Sequence, residues 1–334
     1  MGFLLTAEQH AFARSLDAML AAADTPSLIR ARSAGDPAPW RALWTRLAEA
    51  GVLALAVPEA YDGVGPLPVE TVVAFEQAGR HAVPGPLAET VATAALLTGL
   101  AETGVEGPAK RFLPDLASGA AVATLWVDTD GGGVGPYAAD ADLADLVFGI
   151  HGDRLVLAAG VHDVRASADP GRRLALPGAG GEVLAAGPAV TAAVARARRW
   201  AALATAAQCL GVGRALLERT VAYTTQRTQF GVAVGSFQAV KHRLADVLIG
   251  LEFARPLVHG AAVTLGASDV AAAKVTAGEA AYAAARAALQ LHGAIGYTEE
   301  LDLSLWLRKA RPLRDAWGTP AQCRAAVLAA ETGG

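Results

Sequence analysis

Apolar residues recur three and four positions apart along most of the chain and bunch or alternate only in its middle, so helices are predicted at both ends and strands between. Phe12, Leu16 and Leu20 share one helical face, and the preceding Thr6-Ala-Glu-Gln9 has the capping-box order of a hydroxyl followed three residues later by Gln. A second helix is predicted from near Pro39, with Leu43, Leu47 and Ala50 on one face and Gly51 as its stop. Pro58 and the run Asp62-Gly63-Val64-Gly65-Pro66 read as loop. Helical spacing returns over residues 68–79 and 87–100.

Near residue 120 the pattern changes. Residues 121–127 form a short apolar run rich in strand formers, broken by the glycines of 131–135. Residues 146–150 and 155–159 flank His151-Gly-Asp-Arg154 as in a hairpin, and 174–177 and 183–186 are further candidate strands. From Ala189 the helical period resumes over 200–225, 237–263 and 269–291, with a last short helix after Pro320. The third stretch is dense in alanine, which permits close helix packing. No repeat of 20–50 residues is visible. The prediction is a mainly α protein with a small central β domain: helices over 1–118, a β domain over 119–187 and a helical bundle over 188–334.

Composition narrows the function. The 334 residues are 53% hydrophobic and 18% charged, with a net charge of −4 and an isoelectric point near 6.0. No excess of Lys and Arg exists to neutralise a polyanion, and the apolar content is ample to offset chain entropy. The longest uncharged run, residues 200–213, has 14 residues, short of the ~20 that a bilayer span needs. Cys209 and Cys323 alone make neither a disulfide framework nor a zinc site. No basic stretch followed by an apolar core opens the sequence, which predicts a cytoplasmic protein. Sparse charge on so apolar a chain fits buried subunit contacts. A GC-rich coding sequence accounts for it equally, since Arg outnumbers Lys 24 to 4.

Several patterns carry no chemistry. Gly131-Gly-Gly-Val-Gly135 lacks both the GxGxxG spacing and the Lys of a phosphate loop, and reads as a hairpin loop. Gly211-Val-Gly213 lies inside a helical stretch and reads as close packing. The seven histidines form no metal-binding spacing, and no Gly-x-Ser-x-Gly elbow occurs. Arg196, Arg198 and Arg199 read as a solvated face. Two segments are more specific. Arg227-Thr-Gln-Phe-Gly231, followed by Gly235-Ser-Phe-Gln238 and Leu244-Ala-Asp246, puts a guanidinium, an aromatic ring and a tight turn between two long helices. Gln290-Leu-His-Gly-Ala-Ile-Gly-Tyr297, followed by Arg308-Lys-Ala-Arg311, ends a helix with small residues where a backbone can approach a ligand. A dinucleotide site and a structural interhelix loop both account for them.

These segments resemble the C-terminal half of the acyl-CoA dehydrogenase family. Trp44-x-x-Leu-Ala-Glu-Ala-Gly51, Val57-Pro-Glu59 and Asp62-Gly-Val-Gly65 resemble its N-terminal half, so the resemblance covers nearly the whole chain. It implies a helical domain, a β domain and a four-helix C-terminal domain. It also implies FAD-dependent oxidation of an acyl-CoA to the 2,3-enoyl-CoA, with electron-transfer flavoprotein as the acceptor. By resemblance Arg227 contacts the FAD pyrophosphate, Phe230 packs on the adenine end, and Gln229, Gln290 and Gly293 belong to the same set, reaching the FAD of a neighbouring subunit. Thr319 matches the Thr of the family's Glu-Gly-Thr, which by the same resemblance also contacts FAD. The departures are equally specific. The catalytic Glu position is Trp317, and the alternative position, on the helix before the Arg227 loop, falls at Ala201. Indole has no basic lone pair. Asp315 is the nearest acid in sequence to Trp317. Ala294 replaces the second Gly of the second motif. The β domain looks shortened, and Trp126 is the nearest aromatic to the family's flavin-contacting strand motif. Actinobacterial relatives form heteromers in which one subunit carries the Glu and the other completes the FAD site, and this chain resembles the second kind. The resemblance leaves two other readings open: a self-sufficient homomer with an unrecognised base, and a non-catalytic flavin- or acyl-CoA-binding relative.

Overall fold

Thr6 starts the first helix, α1 (Ala7–Ala21), in the computed structural model, which describes residues 4–128 and 136–332. Its hydroxyl accepts from the Gln9 N–H while the Gln9 side chain accepts from the Thr6 N–H, the reciprocal box that the sequence predicts. Asp24 caps α2 (Thr25–Ser33), a helix whose short apolar pattern, Leu28 and Ile29, escapes sequence reading. There follow α3 (Ala38–Glu49), α4 (Pro68–Arg80), α5 (Leu87–Glu102) and α6 (Gly107–Ala117). From Leu87 to Leu100 every residue of α5 is buried, so it passes through the core without an amphipathic stripe.

The strands are β1 (Ala123–Asp128), β2 (Ala138–Ala139), β3 (Leu146–His151), β4 (Arg154–Ala158), β5 (Val161–Ala166), β6 (Arg173–Pro177) and β7 (Gly181–Ala186). They form a sheet ordered β1-β3-β4-β7 and another ordered β2-β6-β5. β1 and β3 run parallel, and β3 and β4 form the predicted hairpin, with His151 opposite Arg154 and Gly152 at φ 62°. The glycine run of 131–135 lies outside the described residues.

The C-terminal bundle is built on α7 (Pro188–Gln226), 39 residues long. The short hairpin β8 (Thr228–Gln229) and β9 (Val232–Ala233) leads to α8 (Gln238–Thr264), α9 (Ala267–His292), α10 (Leu303–Asp315) and α11 (Pro320–Thr332). Glycines let α7 touch its neighbours. A Cβ on Gly211 would lie 1.9 Å from the Glu76 carbonyl oxygen, and one on Gly213 2.5 Å from Leu251 Cδ2. By length and composition alone α7 and α8 are long and apolar enough to cross a membrane. Of the most apolar stretch of α7, 89% is buried within the protein, as befits a core helix, against 39% for α8. On α8, Leu248, Ile249, Phe253 and Leu257 face outward.

Candidate functional site

Arg227 follows the last residue of α7, and its N–H bonds to the Tyr223 carbonyl. In the next hairpin Gln229 pairs with Val232, which leaves Phe230 and Gly231 as a two-residue turn. Their φ values, 53° and 80°, are those of a primed hairpin turn. Glycine adopts this freely and phenylalanine does not, yet Phe230 is 92% exposed. Across from it α9 ends at Gly293, at φ 63° with open space around its α-carbon. The two helix ends are joined: the Tyr223 ring stacks on His292 at 4.2 Å, and the Tyr223 hydroxyl donates to the His292 carbonyl at 3.4 Å. Burial lowers the pKa of His292, whose Nδ1 lies 2.8 Å from the Ala288 carbonyl. Arg227, Gln229, Phe230, Gln290 and Gly293 are therefore gathered at one end of the bundle, all exposed. Among the described residues no carboxylate pairs with Arg227. The Arg196 cluster lies elsewhere on α7, with Arg196 paired to Glu102 at 2.6 Å.

A cleft opens at the other end, where α5, α7 and α10 meet the β5–β6 connection. It is lined by Glu89, Asp169, Arg172, Thr205, Lys309 and Trp317, among others. Trp317 sits in the turn between α10 and α11 at φ 53°, a conformation that costs a bulky residue on the order of 1–3 kcal/mol. Two contacts hold it. Its indole N–H donates to Glu89 Oε1 at 3.0 Å. The buried Lys274 of α9 reaches the carbonyls of Leu313, Arg314 and Gly318, fixing the turn on both sides. Burial pushes the Glu89 carboxyl up in pKa, and it outweighs the Arg172 guanidinium 3.7 Å away. Lys309 Nζ lies 2.8 Å from Asp169 Oδ2, and Arg32 pairs with Asp140 while donating to the Gly171 carbonyl. All four of these charged side chains are less than 10% exposed. The cavity left among them is about 30 Å³, room for about two waters. A tricyclic flavin ring does not fit it without displacing Trp317 and the ion pairs. The exposed end does offer what the adenosine diphosphate part of a dinucleotide needs: a guanidinium, an aromatic face, an amide and an open glycine backbone.

Of the remaining predicted residues, Ala201, Asp315 and Thr319 fall near the cleft. Ala201 is buried in α7, its carbonyl accepting from the Thr205 hydroxyl at 2.7 Å. Asp315 points away, half exposed and 3.9 Å from Arg314. Thr319 precedes α11 and shares three hydrogen bonds with Gln322. Lys274, which grips the Trp317 turn, and Gln290 lie sixteen residues apart on α9, about 24 Å of helix rise. The structure thus keeps Thr319 apart from Arg227 and Gln290. Trp126 lies in β1, edge-on to His151 at 4.7 Å in a small satellite core. Burial pushes the Cys209 thiol up to about 11, and no metal-binding cluster occurs among the described residues. Sequence reasoning missed Glu89 and Lys274. The available signal was a lone charge in a run of small and apolar residues, 87–100 and 270–278 respectively.

A helical layer, a small two-sheet domain and a long-helix bundle define the class, that of the acyl-CoA-oxidising flavoenzymes. The family model described as acyl-CoA dehydrogenase, N-terminal domain, matches residues 6–120, and the C-terminal domain model matches 191–330. The chain is 34% identical over 289 residues to acyl-CoA dehydrogenase IpdE2 of Mycobacterium tuberculosis (strain ATCC 25618 / H37Rv), with 85% of each chain covered. A solved structure of the Tcur3481-Tcur3483 steroid ACAD, a G363A variant, is similar at a TM-score of 0.80 and 26% identity, covering 98% of each chain. The ChsE4-ChsE5 complex from Mycobacterium tuberculosis shares the fold at a TM-score of 0.79 and 24% identity, covering 99% of each. The chain belongs to the acyl-CoA dehydrogenase family of oxidoreductases. That family is flavin-dependent, and structures with FAD or FADH2 are among the neighbours.

Proposed function

We propose that this chain is the base-lacking subunit of a heteromeric FAD-dependent acyl-CoA dehydrogenase and completes a flavin site whose catalytic Glu comes from a homologous partner. The observation that carries this reading is Trp317. Its indole N–H is committed to Glu89, and together they help to close this chain's own cleft. Meanwhile Arg227 and Gln290 stand outward at the other end.

FAD, when bound, supplies the acceptor for the β-hydrogen, transferred as hydride. This chain's residues bind and orient. Arg227 would hold the pyrophosphate, for which a guanidinium fork is suited. Phe230 would hold the adenine end, Gln290 and Gln229 would offer amides, and Gly293 would let the backbone approach. Trp317 removes no proton, because indole has no basic lone pair. The substrate is an acyl-CoA, and electron-transfer flavoprotein is the acceptor by family resemblance. A bulky polycyclic acyl group suits a pair in which one cleft is given up, in keeping with the relative named as a steroid enzyme.

A second reading is favoured by Glu89, a buried carboxyl of raised pKa beside the position of the family base. In that case the chain is self-sufficient and Glu89 is the base. One experiment separates the two. Purified alone, the chain is expected to be colourless and without dye-coupled acyl-CoA oxidation; with a Glu-bearing homologue it gives a yellow, active complex. A yellow, active homomer silenced by Glu89→Gln overturns the first reading and supports the second.

A further inference from the structure

Residues 167–172 connect β5 to β6 and form one wall of the cleft, which Asp169, Gly171 and Arg172 line together with Glu89, Thr205 and Trp317. Asp169 is the only one of the six with a buried side chain, so apolar burial does not hold the segment. Polar contacts at successive residues do. Arg308 Nε donates to the Ala168 carbonyl at 2.9 Å, Lys309 Nζ to Asp169 Oδ2 at 2.8 Å, and the Ser33 hydroxyl to the Pro170 carbonyl at 3.2 Å. Arg32 donates to the Gly171 carbonyl, and Arg172 lies 3.7 Å from Glu89. Three helices, α2, α5 and α10, thus grip five residues in a row. Within the segment the Gly171 N–H donates to Asp169 Oδ1 at 2.8 Å, so one carboxylate both shapes the turn and takes the lysine. Losing either member of the buried Lys309–Asp169 pair leaves the other charge buried and alone, which makes this the contact that matters most. A segment with little apolar burial that rests on side-chain bonds can open locally while the core stays folded.

We propose that residues 167–172 are a strap latched shut over this chain's own cleft, and that the Lys309–Asp169 pair is the latch that decides whether a molecule enters. Trp317 and Glu89 close the cleft from the helical side, and the strap closes it from the β domain. This goes beyond the proposed function, since the latch belongs to the chain whether or not its cleft takes a ligand. If the chain is self-sufficient, the strap has to open before an acyl chain reaches Glu89.

The test uses the full chain and needs neither flavin nor turnover, so its outcome is separate from that of the proposed function. Thr205→Cys sets a thiol in the cleft, and its alkylation by iodoacetamide is followed by mass spectrometry at that position. Amide exchange of the strap and of the buried centre of α5 is measured on the same samples. In this background Lys309→Met with Asp169→Asn removes both charges and keeps an acceptor for the Gly171 N–H, while Lys309→Arg keeps the pair. The paired variant is expected to label about tenfold faster or more, with strap exchange raised to the same degree and α5 unchanged. Lys309→Arg is expected to stay close to the parent. Unchanged labelling overturns the latch, whatever the strap amides do. Faster labelling with unchanged strap exchange overturns it too, because the thiol is then reached by another route. A parallel rise in α5 also overturns it, because the strap then opens only with the core. If the paired variant does not fold, exchange of the unaltered chain in low denaturant decides. Strap exchange ahead of α5 supports a segment that opens on its own, and exchange only together with α5 overturns it.

Discussion

Trp317 and Glu89 illustrate what single residues can and cannot reveal in advance. Trp317 is legible, because the flanking Arg308-Lys-Ala-Arg311 and Thr319 fix its place in the motif without gaps. Glu89 is not, because nothing local dictates that a side chain 228 residues earlier in sequence will accept the indole N–H. Its raised pKa has a measurable consequence. Between the ordinary value of 4.5 and the higher folded value, the native state holds a proton that the unfolded chain has released. Stability from this group is therefore complete below that window and is lost as pH rises through the folded pKa. Glu89→Gln keeps an acceptor for Trp317 and removes the titration. Denaturant unfolding across this pH range should show wild type losing stability relative to the variant as pH rises, and parallel curves would refute it.

At the scale of elements, periodicity located the long helices and the β3–β4 hairpin but not the weakly patterned pieces. β5 is exposed along nearly its whole length, so no alternation marks it. α2 owes its place to a tertiary partner, the pairing of Arg32 with Asp140. The pair of glycines in α7 reads as packing, and the contact with α4 gives the reason. Gly211→Ala forces a methyl group into the Glu76 carbonyl and is expected to cost about 1–3 kcal/mol. Gly250 in α8 meets nothing nearer than 3.9 Å. Gly250→Ala is expected to gain about 0.5–1 kcal/mol from helix propensity. Thermal melting of the two variants should move in opposite directions.

On the scale of the whole molecule, the fold class was legible because three compositional regimes follow one another along the chain. The division between two sites was not, since both motifs lie in the C-terminal half and only the length of α9 separates them. The outward face of α8 carries Phe253, 71% exposed, together with Leu248, Ile249 and Leu257, the kind of side chains an oligomer contact covers. Phe253→Asp places a charge in it. Size-exclusion chromatography should then show loss of the oligomer, and an unchanged elution volume would exclude this face from the contact.

The span of α9 has a consequence for how such a chain can change over generations. A rigid rod carries the Trp317 turn near one end and Gln290 at the other, with no shared side chain between them. On the proposed function, substitutions around Glu89 and Lys309 would answer to packing and charge balance, and those around Arg227 and Gln290 would answer to a ligand. Selection can relax on the first set while it holds the second, and a duplicated gene can drift into a helper subunit by losing chemistry at one end without a step that damages the other.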